Sequence, residues 1–250
     1  MTRILIPLPD FDFDPTEVSV PWHLLHERGH QVIFATEDGD VAPAADPRLL
    51  KGVLFKQLGA EKEPREFYEA LTGQLAFRRP LAWRDLDMST FDGLILPGGH
   101  APGMRQYLGS SVLHAKVTEF WQTGRPVGAI CHGVIALARS IDPTTGESVI
   151  AGSATTSLTK SMERTAFYLT AWKLGRYYRT YPKYVEDEVR SVLRSRRQYR
   201  RGPRRLQLDS NRRDTSGFVV QDGHYLSARW PGDAYTFARR FVELLEGIES

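Results

Sequence analysis

Apolar residues along the chain fall into short runs bounded by glycine, proline or acidic residues. Residues 3–8 (RILIPL) are predicted as a buried first strand closed by proline. Residues 10–14 read as an acidic loop. Thr16 is placed to cap a helix beginning near Glu17, and Gly29 to end it. Val20, Leu24 and Leu25 give that helix one apolar stripe. Residues 31–36 (QVIFAT) predict a second strand, and strand–helix–strand order favours a parallel sheet. Residues 46–86 are less regular, with short helices that include 63–71. Residues 91–96 (FDGLIL) form a third strand running into Pro97-Gly98-Gly99-His100. A helix over 110–122 ends at Gly124. Residues 126–130 (PVGAI) are a fourth strand that meets Cys131 at once, and helical spacing resumes over 132–139. Further on come a weak strand at 149–151, an aromatic-rich helix over 160–178 and a helix over 185–193. A hairpin turns at Asp222-Gly223, and an amphipathic helix spans 234–245.

Composition narrows this picture without changing its class. The chain has 250 residues, 41% hydrophobic and 25% charged, ordinary for a globular protein. A single cysteine excludes an internal disulfide framework and a multi-cysteine metal site. No apolar run reaches the length of a membrane span, and the first residues do not read as a signal peptide, so a cytoplasmic protein is expected with no membrane partner. The net charge of +3 conceals an asymmetry: residues 190–213 hold ten arginines and one acid, so the rest of the chain is net acidic. That segment lacks a recognisable nucleic-acid motif. Tyr199 is its one aromatic residue, so nucleic acid is not the expected partner, and a solvated loop or a charged partner contact is.

Candidate chemistry gathers at Gly128-Ala129-Ile130-Cys131-His132-Gly133. A strand ends and a helix begins at Cys131, which places a thiol on a tight turn where the helix dipole favours the thiolate. This is the cysteine form of a nucleophile elbow. His132 is a candidate base, and its N–H a candidate oxyanion donor. The Gly98-Gly99 turn, at the end of the neighbouring strand, is a candidate second donor. His100 is placed either to line the pocket or to hold that turn. His23 and His26 share a helical face without an acidic or cysteine partner, so packing rather than metal binding is expected. The aromatic residues of 160–178 (Phe167, Tyr168, Trp172, Tyr177 and Tyr178) suit a lid or a packing surface.

LILPGGH (94–100) and AICHG (129–133) resemble the corresponding segments of the ThiJ/PfpI superfamily, also called the DJ-one family, which has a class I glutamine amidotransferase-like fold. PTEVSVPWHLLHERGHQV (15–32) and DGHYLSARWPGDAYTFARRFVELL (222–245) are similar to its first helix and its C-terminal hairpin and helix. The resemblance implies a flavodoxin-like three-layer α/β sandwich with a mostly parallel central sheet. It would be a single domain over 1–250 with a helical, arginine-rich insertion at about 157–215, acting as a homodimer without a cofactor. It also implies a nucleophilic Cys131, a protonated Glu17 donating to the thiolate, His132 as general acid/base, and Gly98, Gly99, His100 and His132 around the substrate. Two positions depart from the family pattern. No carboxylate occupies 151–156, where some members carry an acid that orients the histidine. GGHG becomes GGHA, with Ala101 last.

The expected activity is that of a cysteine enzyme acting on a small electrophile, with glyoxalase III-like conversion of 2-oxoaldehydes to hydroxy acids foremost. Amide hydrolysis, isocyanide hydration and a redox-sensing role for an oxidisable Cys131 are the alternatives. A glutamine amidotransferase is disfavoured, because no His-x-Glu pattern follows Cys131.

Overall fold

The runs predicted as strands meet in one sheet. The computed structural model describes residues 1–52, 59–179, 181–203, 208–211 and 217–247. Its strands are β1 (Arg3–Pro7), β2 (Phe11–Phe13), β3 (Gln31–Thr36), β4 (Ala44–Ala45), β5 (Leu81–Ala82), β6 (Gly93–Leu96), β7 (Val127–Ile130), β8 (Val219–Asp222) and β9 (Tyr225–Ala228). Its helices are α1 (Pro15–Glu27), α2 (Pro47–Lys51), α3 (Lys62–Thr72), α4 (Leu75–Arg78), α5 (Met104–Gly109), α6 (Ser111–Trp121), α7 (Gly133–Arg139), α8 (Lys160–Leu174), α9 (Val185–Val192) and α10 (Ala234–Glu246).

The main sheet runs β5-β3-β1-β6-β7-β9-β8, parallel throughout except for the β8–β9 hairpin. β2 and β4 form a separate parallel pair. The central strands β6 and β7 are buried along their whole length, as expected for a parallel sheet covered on both faces. Helix α1 packs with α3 and α10, and α7 packs with α5, α6 and α9. The result is a flavodoxin-like α/β sandwich. The chain passes from β1 to β3 on one side and later to β6 on the other. The carboxyl ends of β1, β6 and β7 therefore meet at a topological switch point, where such sheets hold ligands.

Several local expectations are corrected. The first helix is capped by Asp14 rather than Thr16: Asp14 Oδ1 accepts from the Thr16 N–H (2.8 Å) and the Glu17 N–H (3.3 Å). The supposed acidic loop contains β2. Residues 149–151 are not a strand; they turn, with Ala151 N–H bonded to the Ser148 carbonyl (2.9 Å) and Ser153 N–H to that of Ile150 (3.0 Å). The helix expected over 160–178 stops at Leu174, where Gly175 takes φ +57°. Within the arginine-rich segment, Arg190 and Arg201 converge on buried Glu186, and Arg194 pairs with Glu147 (2.5 Å). Part of the segment is thus tied to the fold, while the side chains of Arg194, Arg196, Arg197, Arg200 and Arg201 face solvent as expected. Arg204, Arg205, Arg212 and Arg213 lie outside the described residues.

One buried ion pair anchors the C-terminal helix to the sheet. Arg229, just past β9, donates from Nε and Nη2 to Asp233 at 2.9 Å each, and both side chains are essentially inaccessible. Asp233 also accepts from the Phe218 and Arg229 backbone N–H groups. Removing one member of such a pair strands the other charge. Asp233→Ala is therefore expected to lower unfolding free energy by about 3–5 kcal/mol. Arg240→Ala, which breaks a half-exposed pair with Glu243, should cost no more than about 1 kcal/mol. Urea midpoints of the two variants check this, and equal midpoints would contradict it.

Candidate active site

Cys131 sits at the end of β7 with φ +59°, a left-handed conformation that a β-carbon disfavours. Two features hold it there. Its N–H donates to the Ala228 carbonyl at 3.0 Å, tying the turn to β9. Gly133, next but one, has no room for a side chain: a β-carbon there would lie 2.0 Å from the Leu96 carbonyl oxygen of β6. The strain thus aims the thiol across the switch point instead of along the sheet.

The structure brings Glu17, Gly98, Cys131 and His132 into one buried cluster. Capping by Asp14 starts α1 so that Glu17, in its first turn, points back over the strand ends. Glu17 is fully buried. Its Oε2 accepts the Gly98 N–H at 2.7 Å, and the carboxyl interacts directly with the Cys131 thiol. Oε1 has no other hydrogen-bond partner among the described residues. Gly98 is required by closeness as well: a β-carbon would lie 2.6 Å from the His132 nitrogen and 2.9 Å from Glu17 Oε2. The Gly98 N–H is therefore committed to Glu17. Of the two glycines expected to supply oxyanion donors, Gly99 is the one whose N–H carries no such bond.

His132 Nδ1 lies 3.4 Å from Cys131 Sγ. Among the described residues no carboxylate bonds to the His132 ring. His100 and Tyr181 pack against it instead, with ring centroids at 4.7 and 5.5 Å. His100 thus faces the site. His23 stacks on Phe67 (centroids 3.6 Å) and His26 on Trp22, both away from it.

Electrostatically the cluster is a set of groups held near neutrality by burial. Burial, then the Asp14 charge, pushes the Glu17 carboxyl well above the usual range. Asp14 itself is raised by burial to about 7. Burial and the neighbouring Glu17 and Asp14 charges push the Cys131 thiol up, whereas the His132 N–H favours the thiolate. Burial, with His100 beside it, holds His132 well below its ordinary value, and burial takes His100 to about 4. At neutral pH both imidazoles are neutral. The Glu17–Cys131 pair keeps at least one proton between two atoms that compete for it.

Some residues around the cluster were not legible in the sequence. Tyr107 of α5 is buried with its hydroxyl unpartnered, close enough for the Glu17 charge to raise its ionisation. Of the aromatic stretch read as lid or packing surface, only part covers the site. Tyr178 packs on His100 (4.8 Å) and Tyr177 on Tyr178 (4.8 Å). Phe167 is half-buried, and Tyr168 and Trp172 face solvent. The useful signal was the tyrosine spacing at 177, 178 and 181. What it could not reveal is the latch: the Tyr177 hydroxyl donates to Asp46 Oδ2, while Asp46 Oδ1 caps α2 through the Arg48 N–H (2.8 Å).

Cys131 is 1% exposed, so a reagent reaches it only when its surroundings move. Tyr177→Phe removes the latch and leaves the buried Asp46 carboxyl short of a donor. Alkylation of Cys131 by iodoacetamide is expected to quicken severalfold in that variant. A rate equal to that of the unmodified protein would show that the latch does not gate access.

Comparison with known proteins places these features in a family. The family described as ThiJ/PfpI family-like matches residues 8–203, and the chain belongs to it. An uncharacterised protein of Schizosaccharomyces pombe is 30% identical over 73% of this chain and 70% of its own length. A deglycase of Pyrococcus abyssi is 25% identical over 98% of this chain and 99% of its own. The crystal structure of a glyoxalase III from Candida albicans shares the fold, with TM-score 0.68 at 20% identity, covering 97% of both chains. Among the described residues no helix is long and apolar enough to cross a membrane.

Proposed function

We propose that the protein is a cysteine enzyme that converts small 2-oxoaldehydes to 2-hydroxy acids without a cofactor. The observation that carries this reading is the buried Glu17 carboxyl interacting with a thiol held at a strained elbow, with His132 Nδ1 3.4 Å from the sulfur. Kinship with proteins named deglycase and glyoxalase III supports carbonyl compounds as substrates.

In this mechanism protonated Glu17 donates to the Cys131 thiolate and makes it available in a buried site. The sulfur adds to the aldehyde carbon, and the oxygen takes up a proton to give a hemithioacetal. Neutral His132 removes the hydrogen of that carbon as a proton and returns it to the adjacent carbon. The former ketone becomes an alcohol and the sulfur-bearing carbon a thioester. Water then cleaves the thioester, releasing the hydroxy acid and restoring the thiol. The net change is addition of one water, with oxidation at one carbon balanced by reduction at the next. The Gly99 and His132 N–H groups stabilise oxygen charge as it develops. Burial of the cluster keeps water from competing with proton transfer.

Incubation with methylglyoxal in the absence of glutathione tests this. Lactate should appear in step with methylglyoxal loss. Loss without lactate, or no loss, would overturn the reading.

A further inference from the structure

Beside the site lies a second concavity that the mechanism above does not use. It has a volume of about 320 Å³ and is lined by Arg48, Arg105, Arg176 and Arg179, with Pro102 and Tyr177. These arginines come from three separate pieces of chain: α2, α5 and the turn after α8. Among the described residues no acidic side chain lines it. Like charges gathered on one concave surface repel one another and raise the local concentration of anions. Two acids lie close behind the wall: Asp46 near Arg48 and Glu163 near Arg179. Glu163 lies 3.6 Å from Arg179, and burial lifts its carboxyl to about 7, so near neutrality it carries less than a full charge. Arg48 lies over the Tyr177 ring and Arg179 over the Tyr184 ring, contacts that leave guanidinium charge available.

The cleft is linked to the Cys131 cluster through a chain of packed rings. Tyr177 forms part of its wall and contacts Tyr178, which packs on His100, which packs on His132. Pro102 follows the Gly98-Gly99-His100-Ala101 turn by one residue. A ligand seated among the arginines therefore meets Tyr177, the first of these rings. Arg48, Arg105 and Arg176 are solvent-exposed, so a diffusing molecule can reach them.

We propose that this cleft binds a phosphate monoester, and that the carbonyl substrate carries that group, so that anchoring the phosphate among the arginines directs the aldehyde carbon to Cys131. The identification of the ligand as substrate rests on the function proposed above; the binding of a phosphate monoester does not. Guanidinium groups suit the task, because their paired N–H donors match phosphate oxygens. The volume accommodates a phosphate with a few carbon atoms. A neutral aldehyde would be turned over without using the cleft.

The test is calorimetric titration of the full-length protein with 2-phosphoglycolate, an unreactive phosphate monoester of short chain. Binding is expected, weakening as salt is raised. It should weaken about tenfold or more in Arg176→Ala and in Arg48→Ala. Arg164→Ala, an exposed arginine outside this cleft, should bind as the unmodified protein does. Bound 2-phosphoglycolate should also slow alkylation of Cys131 by iodoacetamide. Absence of binding, or binding unaffected by both cleft substitutions, overturns the proposal. Binding without protection of Cys131 overturns its assignment to the substrate. The binding result stands whether or not methylglyoxal is turned over, so failure of the proposed activity is read separately.

Discussion

Cys131→Ala is expected to lower methylglyoxal turnover by about 10³-fold or more while leaving the fold in place. The loss follows from removing the atom that forms the covalent bond, and corresponds to roughly 4 kcal/mol of transition-state stabilisation. Alanine offers no nucleophile, and the neighbouring groups are not placed to substitute: the Glu17 carboxyl is buried and committed to the Gly98 N–H, and the His132 ring lies against the sulfur that the substitution removes. Structure should survive, because the substitution removes a single buried sulfur and keeps the Cys131 N–H bond to Ala228. A stability cost of about 1 kcal/mol is the scale for so small a cavity. Serine should be nearly as inactive, since a hydroxyl at this site has no comparable path to an anion. Thermal melting alongside turnover separates loss of chemistry from loss of fold. Turnover persisting in Cys131→Ala would exclude the proposed nucleophile.

The second large effect concerns Glu17. Burial and the Asp14 charge push its carboxyl well above the usual range, and the proposed mechanism takes it as the protonated partner that donates to sulfur. A hydrogen bond to a charged group contributes about 1.5–3 kcal/mol, or about one to two pKa units in the thiol. Glu17→Ala removes that donor and strips the Gly98 N–H of its acceptor. On the proposed mechanism, in which Glu17 is a neutral donor and not the charge that pushes the thiol up, the thiol pKa should rise by that amount and turnover near neutrality should fall about tenfold to a hundredfold; a fall in the thiol pKa would mean that Glu17 acts on the sulfur as a charge. Glu17→Gln retains a neutral donor for sulfur and an acceptor for Gly98, so it should keep much more activity. The sign of the pH dependence differs too. In the unmodified protein, activity should fall on the alkaline side as Glu17 loses its proton and confronts the thiolate with a second negative charge. In Glu17→Gln that alkaline fall should vanish, because the amide has no proton to lose in this range. Thiolate absorbance in the ultraviolet and pH–rate profiles check both statements. An alkaline limb of equal position in Glu17→Gln would assign it to another group.

How much of this could be read in the sequence depended on the range of the interaction. Strands such as β3 and β7, the β8–β9 hairpin and the elbow at Cys131 were legible because each is encoded locally. Apolar runs are cut off by Gly98, Gly124 and Asp222-Gly223, and Cys131 stands between a strand and a helix. Two misreadings were local as well. Thr16 and Asp14 are both good caps, two positions apart, and the helix starts from Asp14. Residues 149–151 have strand-like composition but turn instead of joining a strand. The site was legible in its residue types and hidden in its connections. Nothing in the chain announces that the Gly98 N–H is spent on Glu17, that Tyr107 lies near the same carboxyl, or that Tyr177 reaches back to Asp46. These pairs are joined only when the sheet order sets the carboxyl ends of β1, β6 and β7 side by side. The arginines of the cleft were equally obscure, because Arg48, Arg105 and Arg176 belong to no common motif.

Lactate yield from methylglyoxal without glutathione, measured side by side for the unmodified protein, Cys131→Ala and Glu17→Ala, tests the central claim most directly. The account predicts stoichiometric lactate from the unmodified protein, none above background from Cys131→Ala, and a strongly slowed rate from Glu17→Ala. Equal rates in all three would contradict it, by removing both the nucleophile and the carboxyl that activates it from the chemistry.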